Sequence, residues 1–134
     1  MNGQVNASKP VTINLYNPDN SLAATTNANP DGTFNLEAPA GSYTIVATAS
    51  GFLSAQGLVT ITGGAASTMP TINLLAGDID NNNVIDQFDA MTIGMSYNTA
   101  DPVSADLNSD GVINVLDLEL LARNYRATGP VVWQ

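Results

Sequence analysis

Asp78, Asp80, Asn82, Asp86 and Asp89 stand at the first, third, fifth, ninth and twelfth places of one twelve-residue run. The same spacing returns 28 residues later as Asp106, Asn108, Asp110, Asn114 and Asp117. Carboxylate and amide oxygens at these intervals suit a hard cation: calcium gathers about six to eight oxygens from such a loop, one of them the backbone carbonyl of the seventh residue. Val84 and Val112 occupy that place. The expected ligands are therefore Asp78, Asp80, Asn82, the Val84 carbonyl, Asp86 (directly or through water) and Asp89 in the first loop. In the second they are Asp106, Asn108, Asp110, the Val112 carbonyl, Asn114 and Asp117, giving two Ca2+ ions in all. Both loops end on aspartate rather than the longer glutamate, so each must draw in slightly. Asn83 stands where glycine usually makes the sharp turn, and asparagine is the side chain that best tolerates a positive φ.

The rest of the composition narrows the chemistry. The 134 residues contain no histidine and no cysteine, which excludes Ser-His and Cys-His nucleophiles, imidazole-bound zinc or copper, and disulfide staples. The net charge of -9 argues against nucleic acid and anionic membrane surfaces as partners. Nine of the twelve acids follow Leu74 and face only Arg123 and Arg126. Like charge so concentrated opposes a compact state unless cations neutralise it. Asp19, Asp31, Glu37, Asp101 and Glu119, outside the loops, form no catalytic motif, so no enzymatic activity is expected. Tyr16 and Tyr43 sit in strand patterns rather than on a carbohydrate-stacking platform. Lys9, the sole lysine, precedes Pro10 outside an apolar strand, a poor setting for an isopeptide bond.

The loops must be held by helices, and the pattern following each is helical. Ala90, Ile93 and Tyr97 align with Leu118, Leu121 and Tyr125 at i, i+3, i+7 and are the expected core of this half. Ahead of Leu74 the period is that of strands. Val11, Ile13 and Leu15 alternate with polar neighbours, Asn17-Pro18-Asp19-Asn20 and Asn29-Pro30-Asp31-Gly32 are turns, and further strands are expected at residues 22–26, 33–36, 42–49, 58–61 and 68–74, with Gly63-Gly64 between the last two. A short first strand is expected near Gly3-Gln4-Val5, with the amino-terminal edge truncated or frayed. The fold class is two small modules, an all-β sandwich over residues 1–74 and an all-α pair of calcium loop-helix units over residues 75–134.

Two family resemblances rest on these residues. The runs Asp31-Gly32-Thr33-Phe34-Asn35-Leu36 and Pro39-Ala40-Gly41-Ser42-Tyr43-Thr44-Ile45-Val46-Ala47, followed by Gly51-Phe52, resemble the carboxypeptidase regulatory-like, or transthyretin-like (prealbumin-like), β-sandwich. The paired loops, with aspartate in the twelfth place and no full entering helix, resemble type I dockerins over about residues 75 to 127. That resemblance implies calcium-dependent docking to a cohesin-like domain. Together the halves are similar to an X-module–dockerin pair, in which the sandwich stabilises the dockerin. Carried over from the family, the cohesin-facing positions are Gln87, Phe88, Val115 and Leu116, with Met91, Met95 and Arg123 on exposed helix positions.

The first helix adds Phe88, Met91 and Met95 where the second has Leu116, Glu119 and Arg123. This stripe has two candidate uses, a cohesin-facing patch or packing against the sandwich. Apolar stripes at helical spacing are more often core, so intramolecular packing of at least part of it is the expectation. Only Leu75-Ala76-Gly77 separates the last strand from the first loop, which favours direct contact between the modules. The runner-up function is a calcium-stapled stalk or terminal cap without a cohesin partner. No apolar run is long enough to span a bilayer. The Thr, Asn, Ala and Gly richness suits part of a longer exported protein, extracellular or at a bacterial cell surface. The tail Gly129-Pro130-Val131-Val132-Trp133-Gln134 either folds back through Trp133 or stays mobile.

Overall fold

The alternation of Val11, Ile13 and Leu15 with polar neighbours produces a strand buried on one face and partly exposed on the other. The computed structural model describes residues 2–62 and 68–133. In chain order its elements are β1 (Asn2–Asn6), β2 (Val11–Tyr16), β3 (Leu22–Asn27), β4 (Thr33–Asn35), β5 (Gly41–Ala49), β6 (Gly51–Phe52), β7 (Ala55–Ile61), β8 (Ile72–Asn73), β9 (Ala76–Asp78), α1 (Gln87–Met95), a 3-10 turn (Val103–Ala105), α2 (Val115–Arg123) and β10 (Val131–Val132). β2 and β5 run antiparallel with Leu15 opposite Ile45 and Ile13 opposite Ala47, so their inward residues stack in one layer. They lie in a five-stranded sheet of order β10-β7-β5-β2-β3, while β4-β1-β8 form a three-stranded sheet. Val5 and Phe34 of the smaller sheet join the same core. The β-sandwich followed by a small helical region is thus the fold that forms.

Several boundaries differ from the sequence expectation. β1 is central in its sheet, paired antiparallel with β4 and parallel with β8, rather than a frayed edge. β7 begins at Ala55, three residues before the expected strand, because its antiparallel ladder with β5 continues to the Ala47–Ala55 pair. Of residues 68–74 only Thr68, in an isolated bridge with Asn2, and Ile72–Asn73 stand in β-pairing, while the Met69 and Leu74 amides donate to the Asn2 and Asn6 carbonyls at 2.8 and 3.0 Å. Gly63 and Gly64 lie outside the described residues.

The two halves are joined through backbone as well as side chains. β6 and β9 form a two-stranded sheet with Gly51 opposite Asp78, so the first aspartate of loop one sits on a strand paired with the sandwich. The Leu53 amide donates to the Leu75 carbonyl at 2.9 Å. On the opposite flank, the Ser8 hydroxyl donates to the Leu107 carbonyl, the Ser109 hydroxyl to the Ser8 carbonyl at 2.8 Å, and Lys9 Nζ to the Val103 carbonyl at 2.9 Å. Lys9 is almost fully buried, its amine committed to holding the halves together. The apolar core runs through both, from Val5 and Ile13 to Ile85, Ile113 and Leu121.

Candidate functional site

Each acidic loop is built around its first and last aspartates. In the first, Asp78 Oδ1 and Oδ2 accept the backbone N–H groups of Asn82 and Asn83 at 3.1 and 2.9 Å, closing the turn. Asp89, in the first turn of α1, accepts from Ile79 and Asp80 on Oδ1 at 2.9 and 3.1 Å, and from Asp86 on Oδ2 at 2.9 Å. The second loop repeats the pattern. Asp106 accepts from Asp110 and Gly111 at 3.2 and 2.9 Å, and Asp117 accepts from Asn108 and Asn114 at 3.2 and 2.8 Å. The sixth residue is left-handed in both, Asn83 at φ 66° and Gly111 at φ 87°, so asparagine takes over the glycine's role in loop one. The fourth residues, Asn81 and Ser109, match at φ 60° and 59°.

The ninth and twelfth residues carry a second duty that the ligand spacing alone does not reveal. Asp86 and Asn114 are the N-caps of α1 and α2, accepting from Phe88 and Leu116 at 3.0 Å each, and Asp89 and Asp117 return the bond to complete a capping box. The D-x-x-D and N-x-x-D runs are the signal for it. Folding of each helix start therefore fixes the carboxylate that closes its loop.

Oxygens of Asp78, Asp80 and Asp89 lie within 4.8 Å of one another, as do those of Asp106, Asp110 and Asp117. Ligands spread around a calcium ion at about 2.3–2.6 Å would be separated by up to about 5 Å, so the span fits. Asp78, Asp89 and Asp117 are at most 1 % exposed and Asp106 6 %. Burial, followed by the neighbouring Asp89 charge, pushes the Asp78 carboxyl above its usual range against the pull of its backbone hydrogen bonds. Burial likewise raises Asp89, with Asp80 adding to the effect. Asp110 is held low, chiefly by the Val112 amide. Each carboxylate oxygen has about two acceptor directions. Asp89 Oδ1 fills both with the Ile79 and Asp80 amides, whereas Asp89 Oδ2 and both oxygens of Asp78, Asp106 and Asp117 accept one backbone N–H each and leave room for a cation. Buried, crowded carboxylates with spare lone pairs are the donor set a calcium ion fits.

Of the expected helical core, only Ile93 and Leu121 are buried, at 2 % and 1 % exposure, and Ala90 is half-buried. Tyr97, Leu118 and Tyr125 are exposed. The helices end at Ser96 and Asn124, one residue before each tyrosine, which takes both rings off the stripe. The buried line is Asp89–Ile93 and Asp117–Leu121 at i, i+4, leaving Leu118 on the flank. The missing volume is supplied by Ile85, Leu107 and Ile113, all fully buried in or beside the loops.

Phe88, Met91 and Met95 do not pack against the sandwich. They are 57 %, 55 % and 84 % exposed, because α1 turns Asp89 and Ile93 inward and these three lie on another side. Gln87, Val115, Leu116 and Arg123 are exposed as well. Trp133 is buried: the tail folds back, β10 pairing parallel with β7. Asp19 and Asp31 close turns, their carboxyls held low by the hydroxyl and then the amide of Ser21 and Thr33 respectively.

The carboxypeptidase regulatory-like domain family matches residues 4–75, and the dockerin type I domain family matches residues 76–125. No curated protein matches the chain. Among solved structures, it is similar to a C-terminal interface mutant of the type II cohesin–X-dockerin complex of Acetivibrio cellulolyticus, at 20 % identity and TM-score 0.77, over 95 % of each chain. The N-terminal interface mutant of that complex matches at 20 % identity and TM-score 0.76, again over 95 % of each chain. At this identity the likeness establishes a shared fold, with the sandwich and the loop region arranged similarly throughout. A regulatory-like sandwich continuous with two capped acidic loops accounts for both family matches: the chain belongs to the carboxypeptidase regulatory-like domain family through residues 4–75 and carries a type I dockerin domain in residues 76–125.

Proposed function

We propose that this chain is a calcium-dependent docking module that binds a cohesin-like domain and so anchors a larger extracellular or cell-surface protein to a scaffold. The observation that carries the reading is the exposed Phe88, Met91 and Met95 stripe on a helix whose first turn closes a carboxylate cluster. Calcium is assigned to both loops, two ions in all, on Asp78, Asp80, Asn82, the Val84 carbonyl, Asp86 and Asp89, and on Asp106, Asn108, Asp110, the Val112 carbonyl, Asn114 and Asp117. Bound calcium neutralises the clusters and fixes the helix starts that present the docking face. That face is assigned to Gln87, Phe88, Met91 and Met95 of α1 and to Val115, Leu116 and Arg123 of α2. The solved relatives of similar fold are described as complexes of cohesin with an X-module and dockerin, which supports the same partner class here. The sandwich, boundary at residues 74 and 75, acts as the stabilising neighbour, and no catalytic role is assigned to either half.

A calcium-stapled stalk without a cohesin partner is the competing reading, favoured by the backbone and side-chain joints between the halves. It gives no reason for a stripe of large apolar residues facing solvent. The test is a titration of purified cohesin domains against the loaded chain, in calcium and again in chelator. Binding only in calcium is the expected result. A folded, calcium-loaded chain that binds no cohesin would leave the stalk.

A further inference from the structure

Residues 126–133 lie against the first loop and then the sandwich in one continuous run. Antiparallel to the loop, the Arg126 amide donates to the Ile85 carbonyl at 2.7 Å, the Ile85 amide to the Ala127 carbonyl at 2.9 Å, and the Gly129 amide to the Asn83 carbonyl at 2.7 Å. The run then turns along β7, where the Val131 amide donates to Ser54 at 2.8 Å and the Trp133 amide to Gln56 at 2.9 Å. Trp133 ends it as a plug. The ring is 1 % exposed, its Nε1 donates to the Pro70 carbonyl at 2.8 Å, and it meets Phe34 edge-on at 5.8 Å between centroids.

The register decides what this run does to the loop. Val84 stands opposite Thr128 between those flanking bonds, as the non-hydrogen-bonded pair of an antiparallel ladder. Its own amide and carbonyl then both point away from the run. The amide indeed meets Asn82 Oδ1 at 3.0 Å inside the loop, so the carbonyl in the seventh place is turned to the same side. In the second loop, Ile113 exchanges equivalent bonds with Asn98 and Thr99, at 2.7 Å each. That segment continues into the 3-10 turn, which meets the sandwich through the Val103 carbonyl and Lys9 and through the small side chain of Ala105, with no aromatic ring seated there.

We infer that residues 126–133 are a strap that positions the first loop for calcium, so that seating Trp133 in the sandwich raises the affinity of this loop and not of the second. The inference rests on the calcium reading above. Linkage makes the coupling reciprocal: calcium in loop one holds Trp133 in its seat.

The test uses the full chain and calcium alone. Asp110→Ala isolates the first loop and Asp80→Ala the second, and Trp133→Ala is added to each background before calorimetric titration. Calcium binding is expected to weaken about three- to tenfold in the Asp110→Ala background and by less than about twofold in the other. Equal losses in both, or none in either, would overturn the strap. Because Trp133→Ala also opens the sandwich core, a second measurement keeps the sole tryptophan in place as reporter. Adding calcium should protect it from acrylamide quenching in Asp110→Ala and leave quenching unchanged in Asp80→Ala. Equal protection through both loops, protection through the second alone, or none through either contradicts the strap. A parent chain that binds no calcium would instead refute the calcium reading, and two bound ions with an unresponsive Trp133 would refute the strap alone.

Discussion

Ile93 and Met95 are two residues apart on α1 and differ about as much as neighbours can, at 2 % and 84 % exposure. Removing Ile93 to its Cβ empties a site between β9, the helices and the loops, and large-to-small core changes of this kind cost about 2–4 kcal/mol. At about 4 °C per kcal/mol for a chain of this size, the melting temperature of Ile93→Ala should fall by roughly 8–16 °C. Burying a whole methionine is worth about 1.5–3 kcal/mol, and only about a sixth of Met95 is covered, so Met95→Ala should cost no more than about 0.5 kcal/mol. Phe88, 57 % exposed, should behave nearer to Met95 than to Ile93 in stability, and it shares the proposed docking face with Met95. If it anchors the docking face, Phe88→Ala weakens cohesin binding by about 2 kcal/mol, roughly thirtyfold, with a small change in melting temperature. The assay is a calcium-loaded melt of each variant beside a binding titration. A Phe88→Ala or Met95→Ala chain that melts as low as Ile93→Ala would show the stripe to be packed. Unchanged affinity in a folded Phe88→Ala chain would refute the docking face.

Chelation should lower the melting temperature, since calcium at a hundredfold excess over its dissociation constant adds about 2.7 kcal/mol per site, and Asp78→Ala or Asp106→Ala should each reduce the bound calcium from two ions to one in calorimetry. Acidity should narrow the difference between loaded and chelated melts. Asp78 and Asp89 carry raised carboxyls, so in chelator their destabilisation is full above the raised values and is relieved as pH falls through them, while protons displace calcium; the gain ends below about pH 4, where Asp19, Asp31 and Asp110, held low, begin to lose their own stabilisation. Gly57→Ala should eject the tail, because an added Cβ would lie 2.1 Å from the Trp133 carbonyl oxygen. The loss is up to about 5 kcal/mol for roughly 200 Å² of ring surface, read as a lower denaturant midpoint and a red-shifted tryptophan emission. Lys9→Met keeps the packed stem but drops the bond to Val103, and should cost about 1–2 kcal/mol in a denaturant titration.

The parts of this molecule that were legible in the sequence are those whose information is local. A calcium loop is written in twelve consecutive residues, and β2 in the alternation of Val11, Ile13 and Leu15. The capping boxes were equally local but hidden behind the ligand pattern, since Asp86 and Asp89 satisfy both. What pairs over distance was obscure. β1 reads as an edge because nothing near Gln4 announces β4 or β8, and Ala55, Gln56 and Gly57 lack the apolar alternation that would mark the start of β7. The tyrosines misled for a different reason. Tyr97 and Tyr125 keep the helical spacing, but the helices stop at Ser96 and Asn124, and spacing has no meaning past a C-cap.

The repeat in sequence does not make the two loops equivalent in the fold. Both put Ile85 or Ile113 into the core and both close on a buried aspartate, yet their outer sides meet different neighbours. Loop one begins on β9, paired with β6 of the sandwich, and is clamped by the strap. Loop two meets the sandwich through the side chains of Ser8, Lys9 and Ser109, around Leu107 and Val103. The helices diverge in the same sense: α1 presents Phe88, Met91 and Met95, whereas α2 presents Leu116, Glu119 and Arg123 at the matching places. A partner shaped to the first face would meet charge on the second after a two-fold turn, and the desolvation of Glu119 and Arg123 would count against that orientation. Asymmetry in the support and asymmetry in the proposed face therefore fall on the same side of the molecule, that of α1 and loop one.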